Sequence, residues 1–222
     1  MNGLIIDIHD VIVDTSAVRA QAWREACEFH GFEISLDSVR EHLIQPSNIA
    51  LINTIGIGIS SPDGKKIYER YLDLLIRRFI GRVIPPLGID SFLKVLKNVA
   101  MVRQVGLINE DPTNHLMRYL RAAKAEFLFQ ELPQEEQNSG LYSFREGLHS
   151  ALERMSMSAQ SSVLITANPE RAQAARQLNL PVVIVGEQQL RESSAGVAVR
   201  SYRSTKELSE RFYEEIAPLL AQ

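Results

Sequence analysis

Side chains able to do chemistry crowd into one short stretch near the start of the chain. Asp7, His9, Asp10 and Asp14 fall within Asp7-Ile8-His9-Asp10-Val11-Ile12-Val13-Asp14-Thr15, directly after the apolar run Leu4-Ile5-Ile6. An imidazole titrates near neutrality and suits proton transfer. Carboxylates are the hard oxygen ligands that a cation such as Mg²⁺ takes. Polar groups also follow two later apolar runs: Asn109 after Val105-Gly106-Leu107-Ile108, and Thr166 to Asn168 after Val163-Leu164-Ile165. Arg171 comes shortly afterwards. If its side chain points at the strand ends, its guanidinium pairs with Asp7; the alternative is a surface arginine on a helix.

The elements that must position these residues are legible as a pattern. Short, β-branched apolar runs bounded by turns read as buried strands. They occur at Leu4–Ile6, Val105–Ile108, Phe127–Phe129, Val163–Ile165 and Val182–Val185. Helical spacing covers Val18–Phe29, and Ser61-Pro62-Asp63 caps a helix that runs through Phe79 to a stop at Gly81. Shorter helical pieces between them break at Gly56 and Gly58. Later helices span Ile89 to Val99, open at Asp111-Pro112 and Asn168-Pro169, and start at the capping-box pairs Ser143/Glu146 and Ser204/Glu207. Gln134–Gly140 reads as a polar surface loop. Strands alternating with helices predict a doubly wound parallel sheet, an α/β fold. Ligands of such sheets sit outside the carboxyl ends of strands, where Asp7–Asp10, Asn109–Asp111 and Thr166–Asn168 fall.

Composition bounds the function. The 222 residues are 45% hydrophobic and 23% charged with a net charge of −3, so a nucleic-acid or anionic-membrane partner is not expected. Arg77-Arg78 reads as part of a solvated helix face. No run approaches the roughly 18 apolar residues of a membrane span. The N-terminus lacks the basic-then-apolar pattern of a signal peptide. Cys27 is the only cysteine and sits at a packed helical position, which makes a reducing, cytoplasmic setting the expectation. His30, His42, His115 and His149 share no metal-ligand spacing.

The stretch from Asp7 to Thr15 resembles the first motif of the haloacid dehalogenase superfamily, D-x-D-G-V/T-L-V/F-D-S/T. Pro86-Leu87-Gly88-Ile89 resembles the turn by which that family's chain returns to its core, and Pro169–Pro181 resembles the helix and turn after the fourth motif. The helical stretch in between is similar to the cap of subfamily I, the phosphoglycolate-phosphatase-like and β-phosphoglucomutase-like enzymes. The resemblance covers nearly the whole chain. It implies a Rossmann-like core from residues 1–15 and 85–222, and an all-helical cap inserted as residues 16–84. It also implies that Asp7 is the nucleophile of a hydrolase, attacking phosphorus to form an aspartyl-phosphate.

The other motif positions depart from the family's pattern. His9 stands at the acid/base position and Asp10 where a glycine is usual. Asn109 takes the place of a phosphate-holding Ser or Thr, and Leu141 or Tyr142 the place of a Lys, with Arg145 the nearest cation in sequence. In the fourth motif Ala167 and Arg171 replace the two metal-holding acids. The resemblance therefore implies Asp7 and His9 as catalytic candidates and Asn109, Asn168 and Arg171 as ligand-binding candidates. It implies no resident cofactor; Asp7 and Asp10 hold Mg²⁺ only if a phosphatase activity survives. Two functions stay open. One is a non-catalytic module binding a phosphorylated metabolite or a partner protein. The other is a divergent hydrolase, phosphatase-like or similar to the metal-independent dehalogenases, which carry S-S-N where this chain has Thr166-Ala167-Asn168. Arg103, Arg145 and Arg171 are the candidates to replace the missing cation.

Overall fold

In the computed structural model, which describes residues 3–43, 56–57, 61–101, 103–109, 113–130, 144–186 and 200–220, the apolar runs lie side by side in one parallel sheet. Its strands are β1 (Gly3–Asp7), β2 (Gln104–Ile108), β3 (Ser162–Thr166), β4 (Val182–Val185) and β5 (Arg200–Tyr202), in the spatial order β2-β1-β3-β4-β5. The register sets Asp7 beside Ile108 and Ile6 beside Ile165. Asp7, Asn109 and Thr166 therefore reach the same carboxyl edge. From β1 the chain goes to one side to form β2, then crosses to the other side to form β3. That reversal makes the crevice above β1 and β3 the switch point where ligands of such sheets sit.

Every residue of β1, β3 and β4 is buried, as helices on both faces require. Alternate residues feed two separate cores. Leu4, Ile6, Val163, Ile165 and Val183 join a large cluster with α4 (Ile89–Ala100) and α9 (Thr205–Arg211). Ile5, Leu164, Val182 and Ile184 pack on the other face against α7 (Phe144–Arg154) and α8 (Pro169–Arg176). Asp7 has the parity of Ile5, so its side chain leaves toward α8.

Between β1 and α4 the described residues form helices, chiefly α1 (Ser16–Phe29), α2 (Leu36–Leu43) and α3 (Pro62–Leu74). Trp23 of α1 stacks on Tyr71 of α3 with ring centroids 4.2 Å apart, and the large core continues into this pair. The two connecting segments run alongside one another, with the Asp14 amide donating to the Ile84 carbonyl at 2.8 Å. At the return turn Gly88 adopts φ +88°, and a Cβ there would stand 2.5 Å from Lys206 Cα. Glycine answers both demands. No helix among the described residues is long and apolar enough to cross a membrane.

Several expectations need correction. Phe127–Phe129 is not a strand but part of a short helix, α6 (Phe127–Gln130), after α5 (Thr113–Ala122). The Leu128 amide donates to the Ala125 carbonyl, and Leu128 packs inward as an ordinary helical residue. Three apolar residues carry too little periodicity to distinguish the two states. The fifth strand is instead Arg200–Tyr202, an edge strand whose burial rises stepwise from exposed Arg200 to buried Tyr202. The helix from Ser61 does end at the expected Gly81, within one residue, but it is not a uniform α-helix to that point. It widens at Leu75–Phe79 and closes with a tight turn over Ile80–Arg82. Asp111-Pro112, Ser143, Leu141, Tyr142 and the Gln134–Gly140 loop lie outside the described residues, as do Gly58 and the helical pieces around it.

Candidate functional site

Asp7 ends β1 with its side chain fully enclosed. Arg171 stands in the first turn of α8, directly after β3, and its side chain crosses to the end of β1. One terminal nitrogen, Nη1, donates to both carboxylate oxygens of Asp7 at 2.6 Å each. Both partners have side chains 1% exposed, so the pair is shielded from water and salt. The Thr166 hydroxyl donates to Asp7 Oδ2 at 2.8 Å and accepts from the Asn168 amide at 3.0 Å. The Phe144 ring lies 5.3 Å from the guanidinium carbon and completes the enclosure.

Local sequence explains why Arg171 is held there. Asn168 is the N-cap of α8, its carboxamide oxygen accepting from the Arg171 amide at 3.1 Å, and Pro169 starts the helix. Arg171 is thereby fixed at the third residue of the helix, on the side that meets the strand ends. Ala172 and Ala175 on the same helix pack into the sheet, so small side chains let α8 approach closely.

A second cluster adjoins the first. His9 is buried, with Nδ1 3.0 Å from Thr15 Oγ1 and its ring edge-on to Tyr119 at 5.5 Å. The Asn109 side chain faces it and acts on its titration in the opposite sense to burial, favouring the charged form. Burial holds its pKa well below the ordinary 6.5, and the positive charges of Arg19 and Arg171 push in the same direction. Arg19 is itself buried, with Nε donating to Tyr71 Oη at 3.3 Å. His9 is thus a neutral imidazole among cations at physiological pH, able to accept or donate one hydrogen bond but poorly able to carry a proton.

That burial has a pH consequence. Between the lowered folded value and 6.5, the unfolded imidazole takes up a proton that folded His9 does not. The stabilisation is therefore complete above about pH 6.5 and lost as pH falls below it, with a slope approaching about 1.4 kcal/mol per pH unit. Urea unfolding at pH 7.5, 6.0 and 5.0 should show this loss, and His9→Asn should flatten it. Parallel pH profiles for the two proteins would contradict the neutral, buried imidazole.

Asp10 does not join Asp7. It adopts a left-handed backbone, φ 63°, that a short polar residue tolerates. Its carboxylate accepts from the Thr15 amide at 3.0 Å and the Ser16 hydroxyl at 2.8 Å, holding the start of α1. The remaining candidates are also placed. Arg145 is exposed on α7, and exposed Arg103 precedes β2 at the end of the sheet opposite Asn109. Of the three arginines considered, Arg171 alone is seen to meet Asp7.

The residues present do not fit a Mg²⁺ ion. Both Asp7 oxygens are engaged by a cation, Asp10 is turned to α1, and Ala167 offers no ligand. Among the described residues no group of His, Cys, Asp and Glu side chains gathers as a metal site.

Sequence reasoning missed Thr15, Arg19, His115, Tyr119 and the hydroxyl role of Thr166. Arg19 did carry a signal: it shares the helical phase of Ala22, Trp23 and Ala26, all buried, and an arginine on an apolar stripe needs a partner inside. His115 is buried too and adds to the electrostatic pressure on His9.

No family model matches the sequence, and no curated protein matches it. Solved structures do match over nearly the whole chain. A hydrolase from Pseudomonas syringae superposes with a TM-score of 0.75 at 13% identity, covering 96% of this chain and 99% of that one. A predicted phosphatase from Clostridium acetobutylicum gives 0.77 at 16% identity, covering 96% and 98%. A haloacid dehalogenase-like family hydrolase from Streptococcus pneumoniae gives 0.74 at 13% identity, covering 96% and 98%. At such identities the likeness concerns backbone architecture, and the site residues must be judged on their own geometry. The chain has the haloacid dehalogenase-like hydrolase fold.

Proposed function

We propose that this chain is a non-catalytic relative of the hydrolases whose fold it shares, acting as a binding or regulatory module for a phosphorylated metabolite or a partner protein. The observation that carries the reading is the Asp7–Arg171 pair. A carboxylate nucleophile needs an oxygen lone pair aimed at the reacting atom. Here both oxygens of Asp7 are directed at a guanidinium nitrogen 2.6 Å away, and one also accepts from Thr166. His9 fits the same reading, because an imidazole that burial, aided by nearby arginines, keeps neutral is a weak proton donor to a leaving group. Mg²⁺ plays no part in it. A cytoplasmic setting accords with Cys27, whose thiol burial pushes up to about 11, leaving it unreactive.

The test is a turnover screen with phosphomonoesters and 2-haloacids, with and without Mg²⁺, using Asp7→Asn as the control. The expected result is no turnover that depends on Asp7. Turnover abolished by Asp7→Asn would overturn the proposal in favour of a divergent hydrolase, phosphatase-like or dehalogenase-like according to the substrate. A thermal-shift screen of phosphorylated metabolites then identifies a small ligand, since selective binding to the folded state raises its stability.

A further inference from the structure

We infer that Arg171 is a built-in counter-cation that makes this site independent of divalent metal, and that the metal-binding capacity of the cleft is suppressed by this side chain. The inference rests on the same Asp7–Arg171 pair as the function proposed above. It concerns what the site binds rather than whether it turns over.

The physical requirement comes first. A carboxylate enclosed at a strand end, away from water, needs a positive partner. A guanidinium supplies that charge covalently, whereas a metal ion must be recruited from solution and held by several oxygens. In this cleft the guanidinium meets the carboxylate with both oxygens engaged, and the side chains of the pair are 1% exposed. The surroundings hold the pair in place. Asn168 fixes the backbone of Arg171, the Phe144 ring lies against the guanidinium, and Thr166 occupies Asp7 Oδ2 from the other side. Ala167, directly after β3 and buried, leaves the strand end without a second acid.

A divalent cation entering beside Asp7 would have to displace a fixed positive charge whose nitrogen is 2.6 Å from both oxygens. Metal–oxygen bonds of about 2.1 Å and a second cation cannot share that carboxylate without strong repulsion. Exchanging the cation for acids reverses the situation. With Arg171→Asp and Ala167→Asp, carboxylates at the ends of β1 and β3 and at the start of α8 converge without a counter-charge, an arrangement that calls for a hard divalent ion.

The experiment is a titration of Mg²⁺ and Mn²⁺ into the wild-type chain, Arg171→Asp, and Arg171→Asp/Ala167→Asp, read by thermal shift and calorimetry. The wild type should show no saturable binding, and EDTA should leave its Tm unchanged. The double variant should show a lower Tm without metal and a saturable rise of at least about 4 °C with it. Saturable metal binding by the wild type, abolished by Asp7→Asn, would overturn the inference even if no variant folds. A double variant that keeps its circular dichroism and ignores both metals would overturn it as well. Asp7-dependent turnover without metal would refute the non-catalytic reading and leave this one standing. Mg²⁺-dependent turnover would overturn both, and saturable metal binding without turnover would overturn this one alone, so the two failures are distinguishable.

Discussion

Replacing Arg171 by Met is expected to destabilise the protein by about 3–5 kcal/mol, because it leaves the Asp7 carboxylate enclosed with no charge partner. Thr166 still donates to it, but one hydroxyl is worth far less than the ion pair. Native proteins have only about 5–15 kcal/mol to lose, so the variant should be close to unfolding at growth temperature. The control is the double change Asp7→Asn/Arg171→Met, which removes both charges and should recover much of the loss. Guanidinium unfolding of the four proteins in the cycle gives the coupling directly. An Arg171→Met variant within 1 kcal/mol of wild type would mean that water or another cation reaches Asp7, contrary to its enclosure. The cycle also separates this chain from an ordinary carboxylate nucleophile, whose replacement by asparagine removes activity without stranding a buried guanidinium.

The second large effect is expected at Trp23. Its indole is fully buried, stacks on Tyr71 and lies 6.0 Å from the Tyr68 ring, so it joins α1 to α3. Trp23→Ala should cost about 3–5 kcal/mol, and Trp23→Phe much less, since a ring of similar shape keeps the stack. The loss should reach the site as well. Tyr71 carries the hydroxyl that accepts from Arg19, and Arg19 is among the charges acting on His9. Wild-type unfolding followed by fluorescence of this single tryptophan and by far-ultraviolet dichroism should coincide, because the core around Trp23 is continuous with the sheet. Unfolding free energies from urea titrations decide the magnitude. A cost under 1 kcal/mol for the alanine variant would show that the helices are held together elsewhere.

The arrangement of the sheet was readable because its strands are buried on both faces, and such strands appear as unbroken apolar runs. The four runs ending before Asp7, Asn109, Thr166 and Gly186 all became strands in the expected parallel sheet. Phe127–Phe129 failed because a three-residue run has no period. Arg200–Tyr202 escaped notice because an edge strand with an exposed arginine and a half-buried serine looks like a turn. Helix starts were legible where a side chain caps them, as Ser61, Asn168 and Ser204 do. Where two helices widen near their ends, at Leu75–Phe79 and Phe212–Ile216, no residue type announces it.

The site was legible at the residues that interrupt a pattern and illegible at those that continue one. Arg171 stood out because its position near a strand end raised the question of whether it reaches Asp7, and the contact is there. Thr166 was placed at the strand end with Ala167 and Asn168, but nothing in the sequence told that its hydroxyl, rather than the Asn168 side chain, reaches Asp7. Asp10 was visible as an acid, but a sequence does not say which way a carboxylate turns. Its left-handed backbone sends it to the start of α1 rather than to Asp7.

The junction built by Asp10 bears on how fast anything can reach the buried pair. Asp7, His9, Arg19 and Arg171 are each at most 3% exposed, so a molecule arriving from solvent meets a closed door. Opening it by swinging α1 away from the strand ends strains several links at once. These are Asp10 to Thr15, Asp10 to Ser16, Thr15 to His9, and Asp14 to Ile84. A latch of several hydrogen bonds of 2.8–3.0 Å has to give way together before such a molecule can enter. Association at this cleft should then be paced by the opening rate and level off as ligand concentration rises, while a molecule once inside dissociates slowly.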